Sequence, residues 1–208
     1  GSGVGKHLDM LLPALQYEMD GPPKLVHRLD RDTSGVLVLA RTREAAADLQ
    51  KGFANNRLKK VYVALCAGVP GAYKGEIVSR MEKAARGKDS REVVVSGKEG
   101  KAAVTRYKVI EALGRQMCLM ELEPVTGRTH QLRVHMAELG CPIVGDGKYG
   151  GKKAFVGDNV GIGKQLHLHA WHITLPRAGG ELLKVAAPVS AHMAASMKQL
   201  NLTLLKKH

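Results

Sequence analysis

His27-Arg28-Leu29-Asp30-Arg31-Asp32-Thr33-Ser34-Gly35 runs directly into the apolar stretch Val36-Leu37-Val38-Leu39-Ala40. Such a run predicts a strand over Gly35–Arg41 that is buried on both faces and rigid. A loop fixed by a rigid strand can hold a carboxylate in one orientation, which a catalytic aspartate needs. On its residues alone Asp30 has two roles open. It could close a turn beside Thr33 and Ser34 by bonding the backbone. It could also stay ionised near arginines and act as a nucleophile.

Outward from this segment, the pattern predicts a short helical stretch over Lys6–Leu12 that meets Pro13, and a strand over Lys24–Leu29. A helix follows over Arg43–Asn56, with Ala45, Ala46, Leu49 and Phe53 on one face. Lys59–Val69 reads as a strand rich in β-branched residues. Residues 71–100 are rich in glycine and lysine, and predict a hairpin region with a basic tip and short strands near Glu76–Met81 and Glu92–Val95. Ala103–Leu113 and Gln116–Leu122 predict a hairpin around Gly114-Arg115. A helix over Thr129–Leu139 places Leu132, Met136 and Leu139 on one face and ends at Gly140. After a glycine-rich loop over Gly145–Lys164 come strands Leu166–Leu175 and Leu182–Ala186 and a helix over Ser190–Leu200. Sequential strands outnumber helices, so the expected class is α+β with an antiparallel-rich sheet. No repeat or linker divides residues 1–208, which predicts one domain.

The chain has 208 residues, a net charge of +13 and few aromatics, and its isoelectric point is near 9.8. That excess of positive charge favours a polyanionic partner. No apolar stretch approaches the ~20 residues needed to span a bilayer, and the start lacks the order of a signal peptide, so no membrane partner is expected. Cys66, Cys118 and Cys141 are odd in number, widely spaced and without a CxxC pair. They predict buried reduced thiols rather than disulfides or a zinc site.

Three further segments bear on chemistry. Gly1-Ser2-Gly3-Val4-Gly5-Lys6 looks like the end of a phosphate-binding loop, but His7 stands where Ser or Thr would hold magnesium. Gly127-Arg128-Thr129-His130-Gln131-Leu132-Arg133-Val134-His135-Met136 puts arginines at a helix start, which suits an anion; it would equally suit an amphipathic helix with a solvated basic face. His167, His169 and His172 do not make a metal site, and core hydrogen bonds would satisfy them.

HRLDRDTSG and GRTHQLRVHM, in that order and with Lys59-Lys60-Val61-Tyr62-Val63-Ala64 between them, closely resemble the motifs of the RluA-type RNA pseudouridine synthases. GDGKYG at 145–150 and QLHLHA at 165–170 resemble a loop and the closing core strand of that family. The similarity runs from about Gly1 to Pro176 and is greatest to members acting on large-subunit ribosomal RNA (RluC/RluD-like). It implies a central mixed, mostly antiparallel sheet crossed by a catalytic cleft. It also implies isomerisation of uridine to pseudouridine. That reaction oxidises nothing and adds nothing, so no cofactor or metal is expected.

By the resemblance Asp30 is the nucleophile, or the base of a glycal route, and Arg133 pairs with it. Tyr62 stacks on the base and is a candidate to take its C5 proton. Leu132 walls the uracil pocket, Arg28 fills the space of the flipped-out uridine, and Thr33, Arg128 and His130 complete the substrate-binding set. Lys59, Lys60, Arg86, Lys88, Arg128, Lys148, Lys152 and Lys153 are candidates for phosphate contacts. The expected partner is RNA, with large-subunit ribosomal RNA as the specific form, bound by a monomer in the cytoplasm or, alternatively, the mitochondrial matrix. A non-catalytic RNA-binding assembly factor on the same scaffold is the alternative function. The N-terminal S4 domain of many relatives and their N-K-P-x-G strand are absent here, which leads us to expect a trimmed catalytic portion.

Overall fold

The computed structural model describes residues 8–86, 90–95, 100–156, 161–176 and 180–204, with the backbone alone for 83–86, 90–92 and 94. The phosphate-loop-like Gly1–Lys6, the side chain of Arg86 and all of Lys88 lie outside the described residues. Two compact units emerge, one from Gly1–Leu29 and Leu37–Leu58, the other from Asp30–Val36 and Lys59–His208.

Three two-residue strands, β1 (Lys24–Leu25), β2 (Ser34–Gly35) and β3 (Leu39–Ala40), replace the strands predicted over Lys24–Leu29 and Gly35–Arg41. The apolar run is therefore not one strand buried on both faces, and residues 36–39 are only half-buried. The physical reason lies in the pairing. In the first unit β3 pairs antiparallel with β1, whereas β2 belongs to the sheet of the second unit, so no single sheet flanks the run. The first unit also holds a 3-10 segment, Leu8–Leu15, which runs through Pro13 rather than stopping at it. Its α1 (Arg43–Ala54) is capped by the Thr42 hydroxyl, which accepts from Ala45 N at 3.1 Å. Ala45, Ala46, Leu49 and Phe53 of α1 pack with Val26 and Ala40, as their helical spacing predicts.

The second unit is built on a sheet of β4 (Lys59–Ala67), β5 (Lys74–Arg86), β6 (Ser90–Val95), β7 (Lys101–Leu113), β8 (Met117–Pro124), β9 (Leu168–Pro176) and β10 (Leu182–Ala186). Their order is β10-β9-β4-β8-β7-β5-β6, with β2 added beside β9. All neighbours are antiparallel except β2 and β9, so the sheet is mixed and mostly antiparallel. β5 is 13 residues long, much longer than the short strand near Glu76–Met81 that the glycine- and lysine-rich composition suggested. Pairing with β7 on one side and β6 on the other supplies the backbone bonds that local propensity could not reveal.

Period-two alternation feeds two apolar layers. Ala64 and Cys66 of β4, with Cys118, Met120 and Leu122 of β8, meet Leu132 and Met136 of α2 (Gln131–Glu138) on one face. Val63 and Leu65, with Met117 and Leu119, meet Met193 and Met197 of α3 (Ala191–Gln199) on the other. Beyond α2, Gly140 adopts φ 78° and donates to Ala137 O, which ends the helix as expected. All three cysteines are free and buried in the α2 layer; burial pushes their pKa values up and keeps them as thiols.

Two buried histidines in this unit are held by hydrogen bonds. His167 bonds Gln165 O and Ser196 Oγ at 2.8 Å each. His135 lies 2.7 Å from Thr105 Oγ1 and 2.9 Å from Ser79 Oγ.

Two predictions follow from the packing. Gly35 has φ 120°, and an added Cβ would overlap the Ala170 carbonyl and lie 2.6 Å from Ala170 N. Gly35→Ala should therefore destabilise the protein by on the order of 3 kcal/mol in denaturant unfolding. Gly114→Ala, also at positive φ but with open space around it, should cost only about 1 kcal/mol. Equal losses would contradict the steric account.

The second concerns pH. Burial holds the fully buried His135 at a pKa of about 4, below its ordinary 6.5, and His167 and His169 are also lowered by burial. The unfolded chain then binds more protons between those limits, so stability is full above pH 6.5 and falls as pH drops toward 4. His135→Gln should flatten part of that slope in urea titrations at several pH values. An unchanged slope would contradict the assignment.

Candidate active site

β2 reaches the edge of β9 through a parallel contact in which Ser34 faces His169 and Gly35 faces Ala170. Val36 N donates to Ala170 O at 2.9 Å, and Ser34 Oγ lies 2.8 Å from His169 Nδ1. On the other side of β9, Tyr62 of β4 pairs with the same Ala170. Gly35, Ala170 and Tyr62 thus form one row across three strands, about 10 Å from end to end at ordinary strand spacing. The β4–β9 register slips at this row, since Val61 pairs with His172 and Trp171 is skipped. A bulge of this kind re-aims side chains locally.

Asp30 stands five residues before Gly35. Its backbone carbonyl, not its carboxylate, accepts from Thr33 N at 3.0 Å to close the turn, and Asp32 takes φ 67°. The turn is therefore closed by the backbone of Asp30 and does not occupy its carboxylate. The Asp30 charge acts on Tyr62, His130 and Arg133, so the structure brings these four predicted residues together.

Tyr62 is driven up to a pKa of about 12 by burial first and by the Asp30 charge second, and is a neutral phenol at ordinary pH. Burial likewise pushes His130 down; Asp30 opposes that shift and Arg133 and Lys148 add to it. For Arg133, burial acts against the charge, but the hydrogen bonds and charge of Asp146 outweigh it and raise the pKa.

The start of α2 is fixed by a dense local network. Gln131 is buried, and its Oε1 accepts from Thr126 Oγ1 at 2.6 Å and Arg128 N at 3.0 Å. Its Nε2 donates to Val104 O at 2.9 Å and Thr105 Oγ1 at 3.0 Å. His130 itself sits at the helix N-cap with φ 53° and makes no side-chain cap bond. That left-handed conformation is costly for a non-glycine residue and survives only where neighbours hold it. Here Tyr149 Oη lies 2.7 Å from His130 Nδ1.

Arg133 makes a bidentate ion pair with Asp146, Nε to Oδ2 at 2.8 Å and Nη2 to Oδ1 at 2.6 Å. Asp146 is 1% exposed, and it also accepts from Tyr149 N at 3.2 Å. Arg133 further lies over the Tyr149 ring, 5.0 Å from its centre. Asp146 and Tyr149 were absent from the predicted site residues. The only local signal was the Gly145-Asp146-Gly147-Lys148-Tyr149-Gly150 loop itself, because a buried acid is recognisable only once its arginine is placed beside it.

The remaining expected residues vary in placement. Leu132 is buried in the core layer against which Tyr62 packs. Thr33 Oγ1 is buried without a hydrogen-bond partner among the described residues. Arg128 is exposed, with Nε on Ala102 O at 2.9 Å. Arg28 is exposed in the first unit. Of the phosphate candidates, Lys59 is paired with Glu123 at 3.1 Å and Lys148 lies over the Tyr149 ring at 5.4 Å. Lys152 and Lys153 are exposed on a 3-10 turn, Gly151–Ala154. Among the described residues, no group of three or more His, Cys, Asp or Glu could hold a metal ion. No helix among them is long and apolar enough to cross a membrane.

Comparison with known proteins meets this geometry from the other side. Residues 10–138 match the family described as RNA pseudouridylate synthase. The chain is 38% identical over 175 residues to ribosomal large subunit pseudouridine synthase C of Rickettsia conorii, covering 84% of this chain and 55% of that protein. It is 34% identical to RNA pseudouridine synthase 4, mitochondrial, of Arabidopsis thaliana, covering 99% of this chain and again 55% of the relative. The chain thus spans about half the length of these curated relatives. Among solved structures, human RNA pseudouridylate synthase domain containing 4 superposes with a TM-score of 0.80 at 28% identity, over 96% of this chain and 85% of that one. The family match begins before the Asp30 turn and ends at the last residue of α2, so it includes Asp30, Tyr62, His130 and Arg133; the chain belongs to the RluA-type RNA pseudouridylate synthase family.

Proposed function

We infer that the chain isomerises uridine to pseudouridine in RNA, with large-subunit ribosomal RNA as its substrate. The observation that carries this is that Asp30, on the turn anchored to β9 through Gly35, acts by its charge on Tyr62 of β4 and on His130 and Arg133 at the start of α2. The reaction breaks the N1–C1′ bond, turns the uracil and forms a C5–C1′ bond; C5 loses a proton and N1 gains one. An ionised carboxylate facing C1′ suits either attack on the sugar or removal of a proton in a glycal route. In this reading Asp30 is that carboxylate, and Arg133 aligns it.

Tyr62, a neutral phenol beside Asp30, supplies an aromatic surface on which the detached base can rest, and Leu132 backs it. Its high pKa makes it a poor proton acceptor at neutral pH, so base retention is its main role. Arg128, His130 and Thr33 contact the nucleotide, and Arg28 fills the gap left in the RNA. Flipping the uridine costs about a few kcal/mol, which the basic chain recovers through phosphate contacts. The reaction itself requires no cofactor or metal. We assign the chain to the cytoplasm as a monomer, with the mitochondrial matrix as the alternative setting that a mitochondrial relative suggests.

Two measurements test this. On a large-subunit ribosomal RNA transcript tritiated at uracil C5, the chain should release tritium, and Asp30→Asn should slow release on the order of a thousandfold or more. RNA binding without release from the wild-type chain would favour the RNA-binding assembly factor instead. RNA affinity should also fall steeply with salt, losing roughly a thousandfold between 50 and 200 mM if about six phosphates are contacted. A flat salt dependence would contradict an electrostatic RNA interface.

A further inference from the structure

Arg133 is held at one edge only. Asp146 takes Nε and Nη2, while among the described residues no acceptor bonds Nη1. The Asp30 charge still acts on the guanidinium. The acid that holds it is 1% exposed and the arginine side chain 11%. A buried acid and base held this way would swing or neutralise if their geometry were loose.

The loop bearing Asp146 is itself rigid. Gly145 sits at φ 82°, and a Cβ there would overlap the Gln165 carbonyl and lie 2.9 Å from Lys164 O. Gly145 N donates to Ala154 O at 2.9 Å and Asp146 N to Ile143 O at 3.0 Å. Three residues on, Tyr149 meets both His130 and Arg133. One short loop therefore touches both His130 and Arg133 at the start of α2.

We propose that Asp146 is a positioning residue for pseudouridine formation: it grips one edge of Arg133 so that the other is presented to Asp30. This rests on the activity inferred above. The bidentate fork fixes both the direction and the plane of the guanidinium, which a single bond would not. The second carboxylate also shares the cation, so Arg133 aligns Asp30 without binding it as an exclusive partner. A purely structural staple between α2 and the loop would need neither a free Arg133 edge nor the Asp30 charge acting on it.

The test compares wild type, Asp146→Asn and Asp146→Glu on the tritiated transcript, well below the melting temperature of each. Asp146→Asn keeps the size and loses the charge; its kcat should fall on the order of tenfold to a hundredfold with KM little changed. Asp146→Glu, which restores the charge, should recover most of that loss. An unchanged kcat in Asp146→Asn, or equal losses in both variants that track melting temperature, would overturn the proposal. A readout independent of activity is the Arg133 Nε–H signal in a nitrogen–proton NMR spectrum, assigned by its disappearance in Arg133→Lys. It should exchange slowly with solvent in wild type and Asp146→Glu, and rapidly in Asp146→Asn. If wild type releases no tritium, the inferred activity fails, and this signal alone then decides whether Asp146 positions Arg133. Identical exchange in all three proteins would overturn it.

Discussion

Between Gly35 and Ala170 two backbones approach so closely that a β-carbon has no room, and the Asp30 turn takes its position from that contact. β9 is the strand both sides share. On one edge it receives β2 and through it the Asp30 loop; on the other it pairs with β4 and through it Tyr62. The skipped Trp171 places the register slip at this very row. Asp30 and Tyr62 therefore owe their proximity to backbone pairing inside one sheet, which is more rigid than a contact between loops.

Desolvation then decides the charge states. Tyr62 and His130 are both pushed toward their neutral forms by burial, while for Arg133 the bonds and charge of Asp146 outweigh the burial. The site thus offers one fixed cation, a neutral phenol and a carboxylate. That division of charge suits a reaction at a sugar carbon in which the base departs with the N1–C1′ electron pair and is retained beside a fixed cation. The stability of the arrangement depends on pairing, since an isolated buried Arg133 would cost several kcal/mol that Asp146 offsets.

Much of this was legible in the residues. The nearly unbroken apolar runs within Lys59–Ala67 and Met117–Pro124 are what bury β4 and β8 on both faces, and the Leu132, Met136 and Leu139 spacing located the core face of α2. The motifs around Asp30, Tyr62 and Arg133 pointed to residues that the fold gathers. Three features were not legible for reasons of range. The split of Val36–Ala40 between units depends on distant partners, Ala170 for one end and Leu25 for the other. The length of β5 depends on β7, which begins 15 residues beyond it in sequence. The Asp146 pair joins a helix start to a glycine-rich loop, and nothing local marks an aspartate in such a loop as buried.

The central claim is that the chain changes a uridine into its carbon-linked isomer without changing its mass. Nucleoside analysis by liquid chromatography and mass spectrometry, on a large-subunit ribosomal RNA transcript incubated with the purified chain, reads this directly. The account predicts a new nucleoside of unaltered mass eluting as pseudouridine, with an equal loss of uridine and none formed by Asp30→Asn. A transcript that binds the protein yet returns only uridine would contradict it.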